Sequence, residues 1–189
     1  MPIAAALLLA LQATPAVSAE RPMLDAFRTV CDKVQSLDDM KAAAQESGWT
    51  EFAEGAEPRV ERLNKLGRDA IGEDGTSSGA NFRKALNGRT LFLLVTRFED
   101  KSGFWGTGCR IYDFEATAGI PDADAESWMG RKPTGVVSPG ASVGRKLLWE
   151  PGWREGFTVE VSHVPQSSPL REKFGLSGNI LVAQAIGGF

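Results

Sequence analysis

The sequence has only one histidine and two cysteines among its 189 residues. A closed zinc site takes four ligands drawn mainly from these residue types, so the chain holds too few of them. A thioredoxin-type redox site needs two cysteines a few residues apart, whereas Cys31 and Cys109 are distant in the sequence. We therefore predict no metal site and no cofactor.

The chain also has no cluster of basic residues. Its 21 lysines and arginines and its 24 aspartates and glutamates are interspersed and give a net charge of −3. Nucleic-acid-binding proteins concentrate positive charge on one surface, so we expect no nucleic-acid partner. Long apolar runs are missing as well, since a membrane-spanning helix needs about 20 apolar residues. We expect no membrane span in the mature chain.

The longest apolar run, residues 3–11, lies near the start of the sequence and predicts an export signal. Small residues at Val17 and Ala19, three and one positions before Glu20, fit a signal-peptidase site. No lysine or arginine precedes the run, and the alternative is a buried N-terminal helix. We interpret residues 1–19 as a signal peptide and residues 20–189 as a single α+β domain that is periplasmic or secreted.

The two cysteines then predict a disulfide. In an exported protein an isolated pair is usually oxidised, and Cys31 and Cys109 would tie the N-terminal helical region to a strand near the middle of the chain. The alternative is two buried free thiols. The loop that the bond closes is long, which implies a stabilisation of about 2–5 kcal/mol.

Helical spacing of apolar residues and local capping signals predict five helices. Ser36 is a plausible N-cap, and Gly67 and Gly130 are predicted stops. The predicted helical ranges are about 22–33, 36–48, 58–66 and 121–129, with a short helix that starts at 168–169.

Strand signals are concentrated in the second half of the chain. The pair Asn87-Gly88 favours a two-residue hairpin turn, although the spacing in residues 80–86 also fits a helix. Residues 72–79 are rich in Gly, Ser and Thr, and residues 131–144 are rich in Gly, Pro and Ser, so both segments predict loops. The predicted strands cover about 90–96, 109–114, 146–149, 157–163 and 180–186.

The order of these elements predicts the fold class. Hairpins dominate, and repeated strand–helix–strand units are lacking. We expect an α+β fold with a mainly antiparallel sheet of about five or six strands, helices packed on one face and one disulfide.

A weak catalytic pattern is present in residues 140–144, Gly-Ala-Ser-Val-Gly, which matches the G-x-S-x-G nucleophile elbow. The elbow is a strand-to-helix turn, whereas Ser142 lies in a predicted loop before a strand. His163 is the candidate base. It shares the phase of Val159 and Val161, so a structural role at the inward end of its strand competes with catalysis.

A second candidate site is the pair Phe104-Trp105, flanked by Gly103 and Gly106. Exposed aromatic residues in loops often anchor partners, although either ring can instead fold back onto the sheet. We interpret the chain as a non-enzymatic binding or interaction module of the bacterial cell envelope. Its partner would be a protein or a small apolar ligand, recognised through Phe104 and Trp105.

Two alternatives stay open at this point. One is a small serine hydrolase that uses Ser142 and His163, and the other is a structural envelope protein. The carboxylates of Asp113 and Glu115 share one face of their predicted strand, which fits an acid–base pair or two solvated positions equally well.

Overall fold

A computed structural model describes residues 19–72 and 75–188. The predicted signal peptide therefore lies outside the described residues, apart from Ala19. The described chain forms five helices and eight strands. The helices are α1 (Arg21–Cys31), α2 (Leu37–Glu46), α3 (Pro58–Ile71), α4 (Asp122–Met129) and α5 (Pro169–Phe174). The strands are β1 (Thr50–Phe52), β2 (Gly75–Leu86), β3 (Arg89–Asp100), β4 (Trp105–Asp113), β5 (Gly135–Gly140), β6 (Gly144–Trp149), β7 (Thr158–Val164) and β8 (Gly178–Gly187).

All eight strands belong to one antiparallel sheet with the order β1-β2-β3-β4-β8-β7-β6-β5. The α+β class with an antiparallel sheet is confirmed, but the expected count of five or six strands is too low. Two predicted loops are strands: residues 75–79 extend β2 along β3, and residues 135–140 form the edge strand β5. Backbone pairing with a neighbour, rather than an apolar pattern, makes these segments strands.

The local turn and capping signals describe the chain well. Asn87 and Gly88 have φ values of 51° and 76° and join β2 to β3, so the hairpin is confirmed and the helical alternative for residues 80–86 is wrong. The Ser36 side chain accepts a hydrogen bond from the Asp39 N–H at 3.2 Å, which caps α2. Gly67, in contrast, does not stop α3, which continues to Ile71.

One face of the sheet, here the first face, is covered by α1, α2 and α4. Helix α1 places an entire apolar side against it, with Met23, Leu24, Phe27 and Val30 fully buried. The facing strand residues include Leu91, Leu93, Val95, Ile111, Val161 and Leu181. Burial of this apolar area is the main stabilising contribution to such a fold.

The predicted disulfide joins Cys31, the last residue of α1, to Cys109 in β4, with 5.4 Å between the two Cα atoms. The prediction of a link between the N-terminal helical region and a central strand is confirmed. Both cysteines are fully buried in the first-face core, so the bond fixes α1 to the middle of the sheet.

A buried ion pair closes one end of the first face. The Asp113 carboxylate is fully buried, and its Oδ2 accepts a hydrogen bond from Arg89 Nη1 at 2.7 Å. Arg89 also donates to both carboxylate oxygens of Glu20, the residue before α1. Burial raises the pKa of Asp113 above its usual value, against the attraction of Arg89.

The opposite face, here the second face, carries α3 and α5. A separate apolar cluster forms there from Val60, Phe92, Leu94, Tyr112, Phe114, Val164 and Ile180. The expectation that helices pack on one face only is therefore wrong. Helical spacing shows which side of a helix is apolar, but it does not show which face of the sheet that side covers.

Among the described residues, no helix is both long enough and apolar enough to cross a membrane.

Candidate functional site

A groove with a volume of about 1210 Å³ opens between α3 and the second face. We call it the α3 groove. Its floor is formed by β2, β3 and β4, and Phe104 and Asp100 stand at the end near the β3–β4 turn. The apolar residues that line it include Phe52, Leu63, Ile71, Leu94, Phe98 and Tyr112.

The groove exists because α3 packs on the sheet through only part of its length. Val60, in the first turn, is the one residue of this helix that is buried, and Leu63 packs beside it. Further along, Gly67 and Ala70 line the groove but are exposed. A Cβ atom built at Gly67 would meet no atom within 4 Å, so this position of the helix is open, whereas Ile71 at the end of α3 lies against Gly75 of β2.

Strand register orders the floor into rows. Leu94 of β3 is paired with Arg110 of β4, and four residues along β3, Phe98 is paired with Gly106. Side chains on one face of a strand recur every second residue, so these residues all lie on the second face. One polar row, centred on Thr96 and Gly108, separates two apolar ends of the groove.

Two glycines of β4 let bulky neighbours lie flat on this floor. A Cβ atom at Gly106 would collide with the Phe98 ring, and a Cβ atom at Gly108 would collide with the Arg110 guanidinium. Arg110 therefore lies along β4 across Gly108, where its Nη1 donates to Thr96 Oγ1 at 3.2 Å. The sequence places the arginine head in the middle of the groove.

Three arginines line the groove, and two of them are paired. Arg68 binds the carboxylates of Glu54 and Glu61, and Arg97 Nη2 lies 3.1 Å from Glu99 Oε2. Arg110 has no carboxylate partner in residues 19–72 and 75–188. Its half-buried guanidinium is therefore the positive charge of the groove that the described chain does not neutralise.

Tyr112 stands next to Arg110 on the same strand and face. Burial raises the pKa of the Tyr112 phenol above its usual value, and the positive charge of Arg110 opposes that rise. The phenol is therefore protonated at physiological pH and able to donate a hydrogen bond. No hydrogen bond joins its hydroxyl to another described side chain.

The structure separates the two aromatic residues of the predicted binding pair. The Phe104 ring lies 5.5 Å from the Phe98 ring, on the second face, and lines the groove. Trp105 lies on the first face at the edge of the core, over Gly187 and 4.9 Å from the Arg97 guanidinium carbon. Consecutive residues entering a strand point to opposite faces, so the two rings do not form one continuous surface.

The turn that presents Phe104 is fixed by Asp100. Its Oδ1 accepts hydrogen bonds from the N–H groups of Ser102 and Phe104 at 2.8 and 3.1 Å, and from the Ser102 hydroxyl. The Ser102 contact is the main reason that the pKa of Asp100 is lower than usual. The β3–β4 turn therefore holds the Phe104 ring at the groove end.

The residues of the weak catalytic pattern lie elsewhere. Ser142 is exposed in the turn that joins β5 to β6, so it is not in a strand-to-helix elbow. His163 lies in β7, with its Nδ1 3.1 Å from Oδ1 of the buried Asn179. No hydrogen bond connects Ser142 and His163 in the described part of the chain.

Sequence reasoning missed the groove and its arginine. The pattern of β4 held a usable signal, because alternation places Gly106, Gly108, Arg110 and Tyr112 on one face of that strand. Gly67 was a second signal. A glycine inside an apolar helical pattern can leave space beside the helix instead of ending it.

No protein-family model matches this chain, and no curated protein or solved structure is significantly similar to it. Its function is therefore argued from its own residues.

Proposed function

We propose that this protein is an exported, non-enzymatic binding module and that the α3 groove holds a small, mainly apolar ligand. The groove itself carries the proposal. Small-molecule sites are typically clefts of roughly 300–1,000 Å³ lined by apolar and aromatic side chains with a few convergent polar groups. The α3 groove is of that order, at about 1210 Å³, and its lining combines aromatic and aliphatic side chains with polar groups such as Asn81 and Arg110.

The environment of Ser142 and His163 supports binding rather than hydrolysis. A nucleophilic serine needs a base within hydrogen-bond reach and a strained turn that exposes its hydroxyl. Ser142 lies in a turn between two strands, and His163 is engaged with Asn179. The α3 groove lies over β2, β3 and β4, whereas Ser142 and His163 lie at β5, β6 and β7, in the other half of the sheet.

Export is supported by the apolar run at residues 3–11 and by the Cys31–Cys109 bond. Structural disulfides persist in oxidising compartments such as the periplasm and the cell exterior. N-terminal sequencing of protein recovered from the envelope or the medium should begin at Glu20. Recovery of the intact chain from the cytosol alone would contradict export.

The groove is tested with a neutral apolar fluorophore, N-phenyl-1-naphthylamine. We expect saturable binding with a rise in fluorescence. The variant Gly67→Leu, which adds a side chain into open space within the groove, should weaken this binding at least 10-fold. The control Asp69→Leu places the same side chain on the exposed side of α3, outside the groove, and should bind as the wild type does.

Two results would overturn the groove as a binding site. One is a wild-type protein that does not bind the fluorophore saturably. The other is equal binding by the wild type and Gly67→Leu, when circular dichroism shows that both proteins are folded.

A further inference from the structure

We infer that the α3 groove selects an amphipathic carboxylic acid, whose carboxylate binds Arg110 and whose apolar part lies along Phe98 and Phe104. This inference rests on the proposed function, because it names the ligand class of the same groove.

The first argument is the charge of Arg110. Arg110 is half-buried on the groove floor, and Thr96 Oγ1, at 3.2 Å, is the one hydrogen-bond partner of its guanidinium among the described side chains. A partly desolvated cation without an anionic partner is unfavourable. A guanidinium presents a planar fork of N–H donors that matches a carboxylate in two parallel hydrogen bonds. An anionic ligand group would therefore complete the floor.

The other charged groups of the groove leave Arg110 as the position for an anion. The other two arginines of the groove are already paired with Glu54, Glu61 and Glu99. The carboxylates of Glu51 and Asp100 also line the groove and repel an anion from their own positions. An anionic head would therefore bind at Arg110, in the middle of the floor.

The Thr96 hydroxyl fits the same head group. Thr96 already accepts from Arg110, so its own hydroxyl hydrogen is available for an oxygen of the ligand. Arg110 and Thr96 can therefore bind one carboxylate together.

The apolar part has a defined direction. From the Thr96–Gly108 row, where the Arg110 head lies, to the Phe98–Gly106 row the floor extends two residues, or about 7 Å at the rise of a β-strand, and Phe104 extends this path further. The rings of Phe98 and Phe104, 5.5 Å apart, form the apolar end of that path. This length suits a medium-chain alkyl acid more closely than a short organic acid such as acetate.

The experiment compares two ligands of equal chain length, decanoate and decanol, as competitors of N-phenyl-1-naphthylamine. In the wild type, decanoate should displace the fluorophore at a concentration at least 10-fold lower than decanol, whereas acetate should not displace it. In Arg110→Met the preference for the acid should disappear. The control Arg21→Met changes an exposed arginine of α1 in the same way and should keep the preference.

The wild-type comparison needs no variant, so it remains decisive if Arg110→Met does not fold, and Arg110→Gln then serves as the second variant. Equal displacement by decanoate and decanol overturns the inference and leaves the groove as a binding site for neutral ligands. A preference that survives in folded Arg110→Met also overturns it. Failure of the wild type to bind the fluorophore is a different result, which rejects the proposed function itself.

Discussion

The two faces of the sheet are covered by helices in very different ways. Helix α1 has 11 residues and buries five of them, including Phe27 and Cys31, against the first face. Helix α3 is longer, with 14 residues, yet Val60 alone is buried against the second face. One sheet therefore supports a dense core on one side and an open groove on the other. The difference indicates that the first face supplies most of the stability, whereas the second face keeps an open groove beside α3.

The disulfide also belongs to the first face, because it joins helix α1 to the central strand β4. Helix α3 has no such covalent link. It is held by side-chain packing and by surface groups such as Arg62, which donates to two carbonyl groups of α5. A rigid first face fixes the strands that form the groove floor, so ligand-induced movement should be limited to α3 and the β3–β4 turn.

The sharpest test of this division makes the same substitution on each face. Phe27→Ala removes a fully buried ring that packs between Trp128 and Trp153, with centroid distances of 6.0 and 5.6 Å. We expect a loss of about 3–5 kcal/mol in the free energy of unfolding, as for other buried phenylalanines. Phe104→Ala removes a half-buried ring at the groove end and should cost about 1 kcal/mol or less. Urea unfolding of both variants gives the two values.

The same pair of variants separates stability from binding. Phe104→Ala should weaken binding of the neutral fluorophore several-fold, whereas Phe27→Ala, where still folded, should bind with unchanged affinity. Equal losses of stability in the two variants would show that the second face is packed as tightly as the first, and the comparison would fail.

Removal of the disulfide is expected to have the next largest effect. The double variant Cys31→Ala/Cys109→Ala keeps both positions small and apolar but opens a loop of 78 residues. We expect a loss of about 2–5 kcal/mol in the free energy of unfolding. Chemical denaturation measures this loss. Fluorophore binding by the folded variant should be unchanged, because the bond lies in the first-face core; a large loss of binding would show that the two faces are coupled.

Asp113 gives the first face a pH dependence. Because its pKa is raised in the folded state, the folded protein keeps this proton at pH values where the unfolded chain, which ionises near pH 4, has lost it. Unfolding then releases a proton. The contribution of Asp113 to the free energy of unfolding is therefore full below the pKa of the unfolded chain, about pH 4, and falls as pH rises through the folded-state pKa.

The measurement is urea unfolding of the wild type and of Asp113→Asn between about pH 3.5 and 6.5. The difference between the two curves should fall with rising pH. Asp100, at the groove end, provides the opposite case, because hydrogen bonds lower its pKa. The difference between the wild type and Asp100→Asn should rise with pH, since that contribution is lost as pH falls through the folded-state pKa. Slopes of the same sign would contradict these assignments.

The contrast between faces also separates what was predictable from what was not. The hairpin at Asn87-Gly88, the cap at Ser36 and the Cys31–Cys109 bond were predicted because each has a local or pairwise signal. Strand β5 and residues 75–79 were not, because their strand conformation comes from pairing with a neighbour. Sequence periodicity could not place helices on the second face, since it identifies an apolar side without identifying what lies opposite.

The candidate site was harder to predict than the fold. Arg110 in an alternating strand looks like an ordinary exposed residue, and the absence of a carboxylate partner among the described residues is a property of the folded chain. The sequence predicts that Phe104 binds a partner together with Trp105, whereas the structure places the two rings on opposite faces. The partner-binding role of both residues stays a prediction. Of the two, Phe104 lines the α3 groove and Trp105 does not.

The smallest expected effect is an increase in stability. Gly67 lies inside α3 with an ordinary helical conformation, where glycine is less favourable than alanine by about 1 kcal/mol. A Cβ atom there would meet no atom within 4 Å, so Gly67→Ala introduces no collision. We expect the free energy of unfolding to rise by about 0.5–1 kcal/mol in urea unfolding experiments. The same change at Gly79, where the Cβ atom would lie 2.5 Å from the backbone carbonyl oxygen of Val95, should lower it. If Gly67→Ala instead destabilises the protein, position 67 is not open, and the groove does not extend beside this part of α3.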